Sequence, residues 1–237
     1  MTNTIETIKD YFAKIKLGCD TPTMFDFGKR LIQSNTEDFL DFHYTILAER
    51  NIDKELYDFI TKKFKDRHSV GENYLLKRIV SEQDDFVKAM VLQVLGSFRY
   101  SRVNRSEETA ELARQFLISE SNILRCRALW VIGWTGNVND IDQISSLLLN
   151  DQENENRCWA ATAMMQIYFK DKLSAEKSLY YLKIAINQEA DLKALEGILI
   201  SIQEITGKKL GLNAMSHNSP NAEKITKALK NAKRILA

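Results

Sequence analysis

The feature that most limits what this chain can fold into is an internal repeat. Leu124-Arg125-Cys126-Arg127-Ala128-Leu129 and Asn156-Arg157-Cys158-Trp159-Ala160-Ala161 share Arg, Cys and Ala at an offset of 32 residues. Apolar side chains follow both in helical spacing, Val131 and Ile132 in one copy and Ala163 and Met164 in the other. Self-similarity at a period of about 20 to 50 residues marks stacked supersecondary units. Weaker copies begin at Val87-Lys88-Ala89-Met90-Val91 and at Leu192-Lys193-Ala194-Leu195. Each copy is followed by a turn signal and a second amphipathic stretch, at 107–119, 140–149, 174–186 and 222–236, so every unit reads as a helical hairpin. Ser106, Asn139 and Ser174 are placed to cap second helices, and Gly133 and Gly136 to end a first helix.

Composition agrees with a helical chain. Its 237 residues are 44% hydrophobic, enough apolar surface for a sizeable core, and nine glycines and two prolines argue against turn-rich β folds and glycine-rich phosphate loops. The predicted fold class is all-α, a right-handed α-solenoid of stacked antiparallel helical hairpins. Cys19, Cys126 and Cys158 are odd in number and form no CxxC pair, which fits a reducing compartment and small buried side chains. No apolar run is long enough to span a membrane, and the first residues carry acids where a signal peptide would be apolar, so cytoplasmic residence without membrane contact is expected.

The pattern resembles the HEAT-repeat family, in its short bacterial form related to phycobilin-lyase repeats. There a first helix opens on an apolar-Arg-x-x-Ala-Ala motif and ends in Leu-Gly. Matching residues are Leu124, Arg125, Ala128, Leu129, Ile132 and Gly133, then Arg157, Ala160 and Ala161, with Val87, Leu95 and Gly96 in the earlier copy. Ile205-Thr206-Gly207-Lys208-Lys209-Leu210-Gly211 looks like the terminating segment of many such arrays. The resemblance covers about 84–237 and implies four HEAT-like hairpins. It is specific for fold and not for function, since such repeats serve scaffolds, lyases, glycosylases and inhibitors alike. Physically, Ala admits close helix contact, and the Arg can reach an acid or a helix end in the adjoining unit.

Residues 1–83 lack the motif but keep helical periodicity, near 3–17, 22–33, 36–49, 53–66 and 72–82. Phe25, Phe39, Phe42, Phe59, Phe64 and Tyr74 give this stretch a bulky apolar face, read either as an aromatic ligand pocket or as a divergent cap closing the solenoid. No Pro/Gly/Ser-rich linker follows it, so 1–237 reads as one continuous solenoid.

Reaction chemistry is nearly absent from the sequence. His43, His68 and His217 are scattered, with no second ligand at metal spacing, and there is no nucleophile elbow or nucleotide-binding glycine loop. The carboxylate pairs Asp84-Asp85 and Asp140-x-Asp142 sit at predicted helix starts, where the macrodipole already favours negative charge. No enzyme activity, cofactor or metal is expected on these grounds.

Three surfaces remain as binding candidates. From 128 to 156 there is no Lys or Arg, while Asp140, Asp142, Asp151, Glu153 and Glu155 are all acidic. Trp130 and Trp134 share a helical stripe with Arg127, and Trp159 stands at the repeat position equivalent to Arg127, next to Trp130 if adjacent first helices lie side by side. Aromatic anchors beside acids suit capture of a basic protein, or else the tryptophans are inter-repeat core and the acids a solvated loop. The second surface is the 98–105 loop, with Arg99, Tyr100, Arg102 and Arg105 suited to stacking bases and holding phosphates. The third is the basic stretch 205–237, where Lys224, Lys227, Lys230 and Arg234 recur on one helix face.

Two functions follow. The first is a non-catalytic protein-binding module, an inhibitor or immunity-type protein that captures a basic partner such as a toxin domain through Trp130, Trp134, Asp140, Asp142, Asp151, Glu153, Glu155 and Trp159. The alternative is a nucleic-acid-binding or HEAT-like DNA-glycosylase-type protein using Arg99, Tyr100, Arg102, Arg105, Lys227, Lys230 and Arg234. The near-neutral net charge of +1 conceals an acidic centre and a basic end, and the acidic centre favours the first.

Overall fold

The computed structural model describes residues 4–100, 104–213 and 220–237. Arg102 of the proposed base-stacking loop and His217 lie outside them, and the side chain of Tyr100 is likewise not described. The described residues form α-helices and short 3-10 turns with no strand, as the patterning predicts. The chain divides into two compact units, Met1–Thr109 and Ala110–Ala237.

The first unit holds α1 (Ile5–Ile15), α2 (Thr21–Leu31), α3 (Glu37–Leu47), α4 (Lys54–Lys63), α5 (His68–Ser81) and α6 (Asp85–Ser97). Thr4, Asp20, Asp53 and Asp84 each cap a helix with the side-chain oxygen, and Pro22 sits in the first turn of α2, where no helix hydrogen bond is lost. Asp84 is thus a cap, which accounts for one of the carboxylate pairs. Ile8, Phe12 and Ile15 recur at helical spacing and pack with Met24, Phe27, Leu31, Phe39, Ile46, Leu56 and Ile60 in one core. Most of the bulky aromatics fill this packing: Phe39 and Phe64 are buried, and Phe59 meets exposed Phe25 edge to face. Helix α6, the first predicted repeat helix, packs on α3, α4 and α5.

Between α4 and α5 a 3-10 turn, Phe64–Arg67, buries an arginine that has no carboxylate partner among the described residues. Arg67 donates to the carbonyls of Leu31, Ser34 and Phe39, to Asn35 Oδ1 and to His43 Nδ1. The Leu31 carbonyl belongs to the last turn of α2, one of the acceptors a helix leaves open. His43, fully buried and stacked on Phe64 at 3.8 Å, donates from Nε2 to the Ile60 carbonyl at 3.0 Å. These two contacts define a neutral ring. Burial first, then the adjacent guanidinium, pushes the His43 pKa down to about 3. His68, next in sequence to Arg67, carries a positive φ of 52°, uncommon for a residue other than glycine.

In the second unit α8 (Asn122–Thr135), α10 (Asn154–Lys170) and α12 (Leu192–Thr206) lie side by side as the first helices of successive hairpins. Their partners α9 (Ile141–Asn150), α11 (Ala175–Gln188) and α13 (Ala222–Ile235) follow each in turn, α9 and α13 both packing on α11. The helix α7 (Ser106–Phe116) precedes them. Small residues set the helix spacing: Ala128, Ala160 and Ala161 are fully buried, and a side chain at Gly197 on α12 would fall on Cys158 Sγ of α10.

The repeated arginine explains itself here. Arg125 grips Asp151, the C-cap of α9, through Nε and Nη2 at 2.7 and 2.9 Å, and its Nη1 donates to the carbonyls of Ser119 and Glu120. One repeat later Arg157 grips Glu189, the C-cap of α11, at 2.6 and 3.0 Å, with Nη1 on the carbonyls of Asp151 and Gln152. Each arginine therefore ties the start of a first helix to the end of its own second helix and to the loop before it. The bidentate fork suits this use, since it serves a carboxylate and backbone carbonyls at once.

Local boundaries differ from the sequence expectation in two ways. Gly133 lies inside α8, where a Cβ would stand 3.0 Å from Ala163 Cα, so it serves close helix approach; Gly136 is the C-cap. Helix α9 is entered through a 3-10 turn capped by Asn137, just before the expected cap Asn139, while Ser174 stands at the N-cap of α11 as expected but makes no side-chain cap bond, the 3-10 turn ahead of it being capped by Asp171. A 3-10 turn adds a tighter turn before the α-helix, which moves the orphan N–H groups upstream.

Candidate functional site

Helices α8 and α10 bring the three tryptophans together, as their repeat positions predict. Trp130 and Trp159 have ring centroids 4.7 Å apart, and Trp134 stands 6.4 Å from Trp130. All three are half-buried. The Arg127 guanidinium lies over Trp130, with Cζ 3.9 Å from the ring centroid. Its Nη1 is 3.9 Å from Cys126 Sγ, and both Arg127 Nε and Trp130 Nε1 are buried without a hydrogen-bond partner. Enclosed N–H groups are nearly always satisfied, so two in one cluster are notable. The cluster joins rings and a cation across two repeats, and sequence alone did not reveal that the cation lacks an acid among the described residues.

The acidic part of the expected surface is largely taken up inside the fold. Asp140 is 4% exposed, bonded to Arg114 Nε at 2.7 Å, and closes a capping box with Asn137. The Asp151 side chain is 1% exposed within the Arg125 grip. Burial alone would raise the Asp151 pKa, but the bonds from Arg125, the Glu153 N–H and Asn156 outweigh it and hold the carboxyl below its ordinary range. These two residues are corrected from surface ligands to internal anchors, because each closes a hairpin in a place water does not reach. Asp142 is exposed but bonded to Lys177 at 2.7 Å and to the Tyr181 hydroxyl at 2.9 Å, which lowers its pKa. Glu153 and Glu155 are exposed, Glu155 standing 4.0 Å from Lys193.

The basic loop is also engaged. Arg99 donates to the Gly96 carbonyl. Arg105 is paired with Glu108, donates to Asn73 Oδ1, and its backbone N–H goes to Glu72. These bonds tie Arg99 and Arg105 to their own unit and correct the expectation that these two arginines are held out for phosphate. Lys227, Lys230 and Arg234 remain exposed along α13, whose apolar side buries Ile225, Ala228 and Ala232.

Cys126 and Cys158 are buried, and burial raises both thiols to about 11, so neither is a nucleophile at neutral pH. Among the described residues no group of three His, Cys, Asp or Glu side chains is placed to hold a metal ion, and no helix is long and apolar enough to cross a membrane.

No family model matches the chain, and no curated protein matches it. Over 99% of its length it is similar to 95% of a chain in the complex of CpcE and CpcF of phycocyanin lyase from Nostoc sp. PCC7120, at 13% identity and a TM-score of 0.41. A likeness of that size transfers neither activity nor site residues. The expectation that the chain is no enzyme is withdrawn, because catalytic residues drawn from separate helices leave no sequence motif.

Proposed function

We propose that the chain is a helical-repeat module that binds another protein on the face formed by α8 and α10. The observation that carries this reading is the partly exposed cluster of Trp130, Trp134 and Trp159 on two adjacent helices. Tryptophans are enriched among the residues that dominate binding energy, and a ridge of three gives a partner one contiguous anchor. The narrower form of the reading is an inhibitor or immunity-type protein capturing a basic protein such as a toxin domain. It draws on Asp142, Glu153 and Glu155, the acids of the segment that face solvent. Steering by these carboxylates would add to association rate more than to affinity.

A second reading draws on α13, where Lys224, Lys227, Lys230, Lys233 and Arg234 are exposed with no ion pair among the described residues. Such a row suits phosphates without reading sequence. A photo-cross-linking side chain at Trp134, compared with one at Lys227, separates the two in the native cell extract. Trapping of one discrete protein from position 134 supports the docking face. Nucleic acid trapped from position 227, with nothing from 134, replaces it with the second reading.

A further inference from the structure

We infer that Arg127 is the recognition group of the tryptophan face, and that it takes a carboxylate from an Asp or Glu side chain of the partner protein, carried beside apolar residues that cover the rings. This rests on the docking face proposed above and supplies its chemistry. Two arginines stand two residues apart on α8. Arg125 has a carboxylate and two carbonyls. Arg127 has an aromatic ring at 3.9 Å, a sulfur at 3.9 Å and a buried Nε with no acceptor. Among the described residues no carboxylate lies within ion-pair distance of it.

Neighbouring charges leave Arg127 unneutralised. Asp151 is held by Arg125 and Glu155 faces Lys193. A guanidinium held over an indole is partly stripped of water, yet keeps its charge and its fork. A carboxylate arriving there gains a charge-assisted, two-pronged bond in a site of reduced dielectric, and little rotamer freedom is lost because the stack already orients the group. The repeat then sets the pattern of the partner. At the equivalent position one hairpin on, Arg is replaced by Trp159, so a partner crossing from α8 to α10 meets a cation and then a ring. Packed helices stand about 8–10 Å apart, about three residues of extended chain. The matching segment is an acidic residue with an apolar or aromatic one about three positions away.

The test uses the full chain and an array of short acetylated, amidated peptides with Leu or Phe at varied positions and Glu, Gln or Lys at a fixed one. Binding is read from tryptophan fluorescence. The Glu series should bind about tenfold or more tighter than the Gln and Lys series, with a loss in added salt. Arg127→Gln should erase that preference, and Arg127→Lys, which keeps the charge without the fork, should retain part of it. Equal binding of the Glu and Gln series, a preference for Lys, or a Glu preference surviving in Arg127→Gln would overturn the inference. Trp159→Ala separates the two levels. If it abolishes binding of all peptides while Glu and Gln bind alike, the docking face stands and the carboxylate does not. If no peptide binds, or Trp159→Ala changes nothing, both fall.

Discussion

The two units solve one problem in different ways. Each has carbonyls at helix ends and in connecting loops that need donors, and each supplies an arginine. In Ala110–Ala237 the arginine comes with its own acid: Arg125 with Asp151 and Arg157 with Glu189, the remaining donors going to two loop carbonyls. In Met1–Thr109 the buried Arg67 is satisfied by three carbonyls, an amide oxygen and a histidine nitrogen, with no carboxylate. The clamp that neutralises its own charge can be copied from hairpin to hairpin. The other depends on five groups spread over α2, α3 and the loop between them, and occurs once among the described residues.

Arg67→Met breaks that comparison hardest. It leaves the buried carbonyls of Leu31 and Phe39, the part-buried Ser34 carbonyl, Asn35 Oδ1 and a ring nitrogen without their donor, for an expected cost of about 3–5 kcal/mol, read as a fall in the urea midpoint. A loss below that of Arg125→Met would mean the uncharged network carries little of the first unit's stability.

The pH response is the next largest. His43 has a native pKa of about 3 against an ordinary 6.5, so between those values the unfolded chain takes up a proton that the native chain refuses. Stability from this group is complete above pH 6.5 and declines as pH falls toward 3, at a slope of up to about 1.4 kcal/mol per pH unit. The carboxylates of Asp151 and Glu189 titrate below their ordinary range, despite burial that opposes this, because their arginines favour the charged form. Their contribution is lost only below about pH 4. Chemical denaturation from pH 7 to 5 isolates the histidine, and His43→Gln should flatten that interval. An unchanged slope in the variant would remove His43 from the account.

The clamps give the smallest effect and the most specific one. Double-mutant cycles on Arg125/Asp151 and Arg157/Glu189 should return similar coupling energies, about 1–3 kcal/mol each. Strongly unequal values would mean that the repeat is a repeat of sequence and not of energetics.

The same contrast explains what could be read from the letters. That the recurring arginines hold an acid at a helix end was legible because the motif recurs, although the acid lies in each arginine's own hairpin and not in the adjoining unit, and the meeting of Trp130 with Trp159 was legible too. Arg67 was not, since most of its partners are backbone oxygens 28 to 36 residues away, which carry no side-chain identity. The acidic segment misled for a related reason. A count of charges cannot tell Asp140, bonded to an arginine 26 residues earlier, from a carboxylate that faces water. Arg127 looked like one more member of a stripe until its lack of an acid set it apart from Arg125.

The most direct test of the docking face is the affinity of the cross-linked partner, once purified, for the Trp134→Ala/Trp159→Ala double variant, beside a variant with Lys227 and Lys230 changed to Gln. Truncating two central anchors should weaken binding by about a hundredfold or more, with the thermal midpoint of the free protein lowered only modestly, while the α13 variant binds within about threefold of the original. Equal affinity of the tryptophan variant and the original chain would contradict the account.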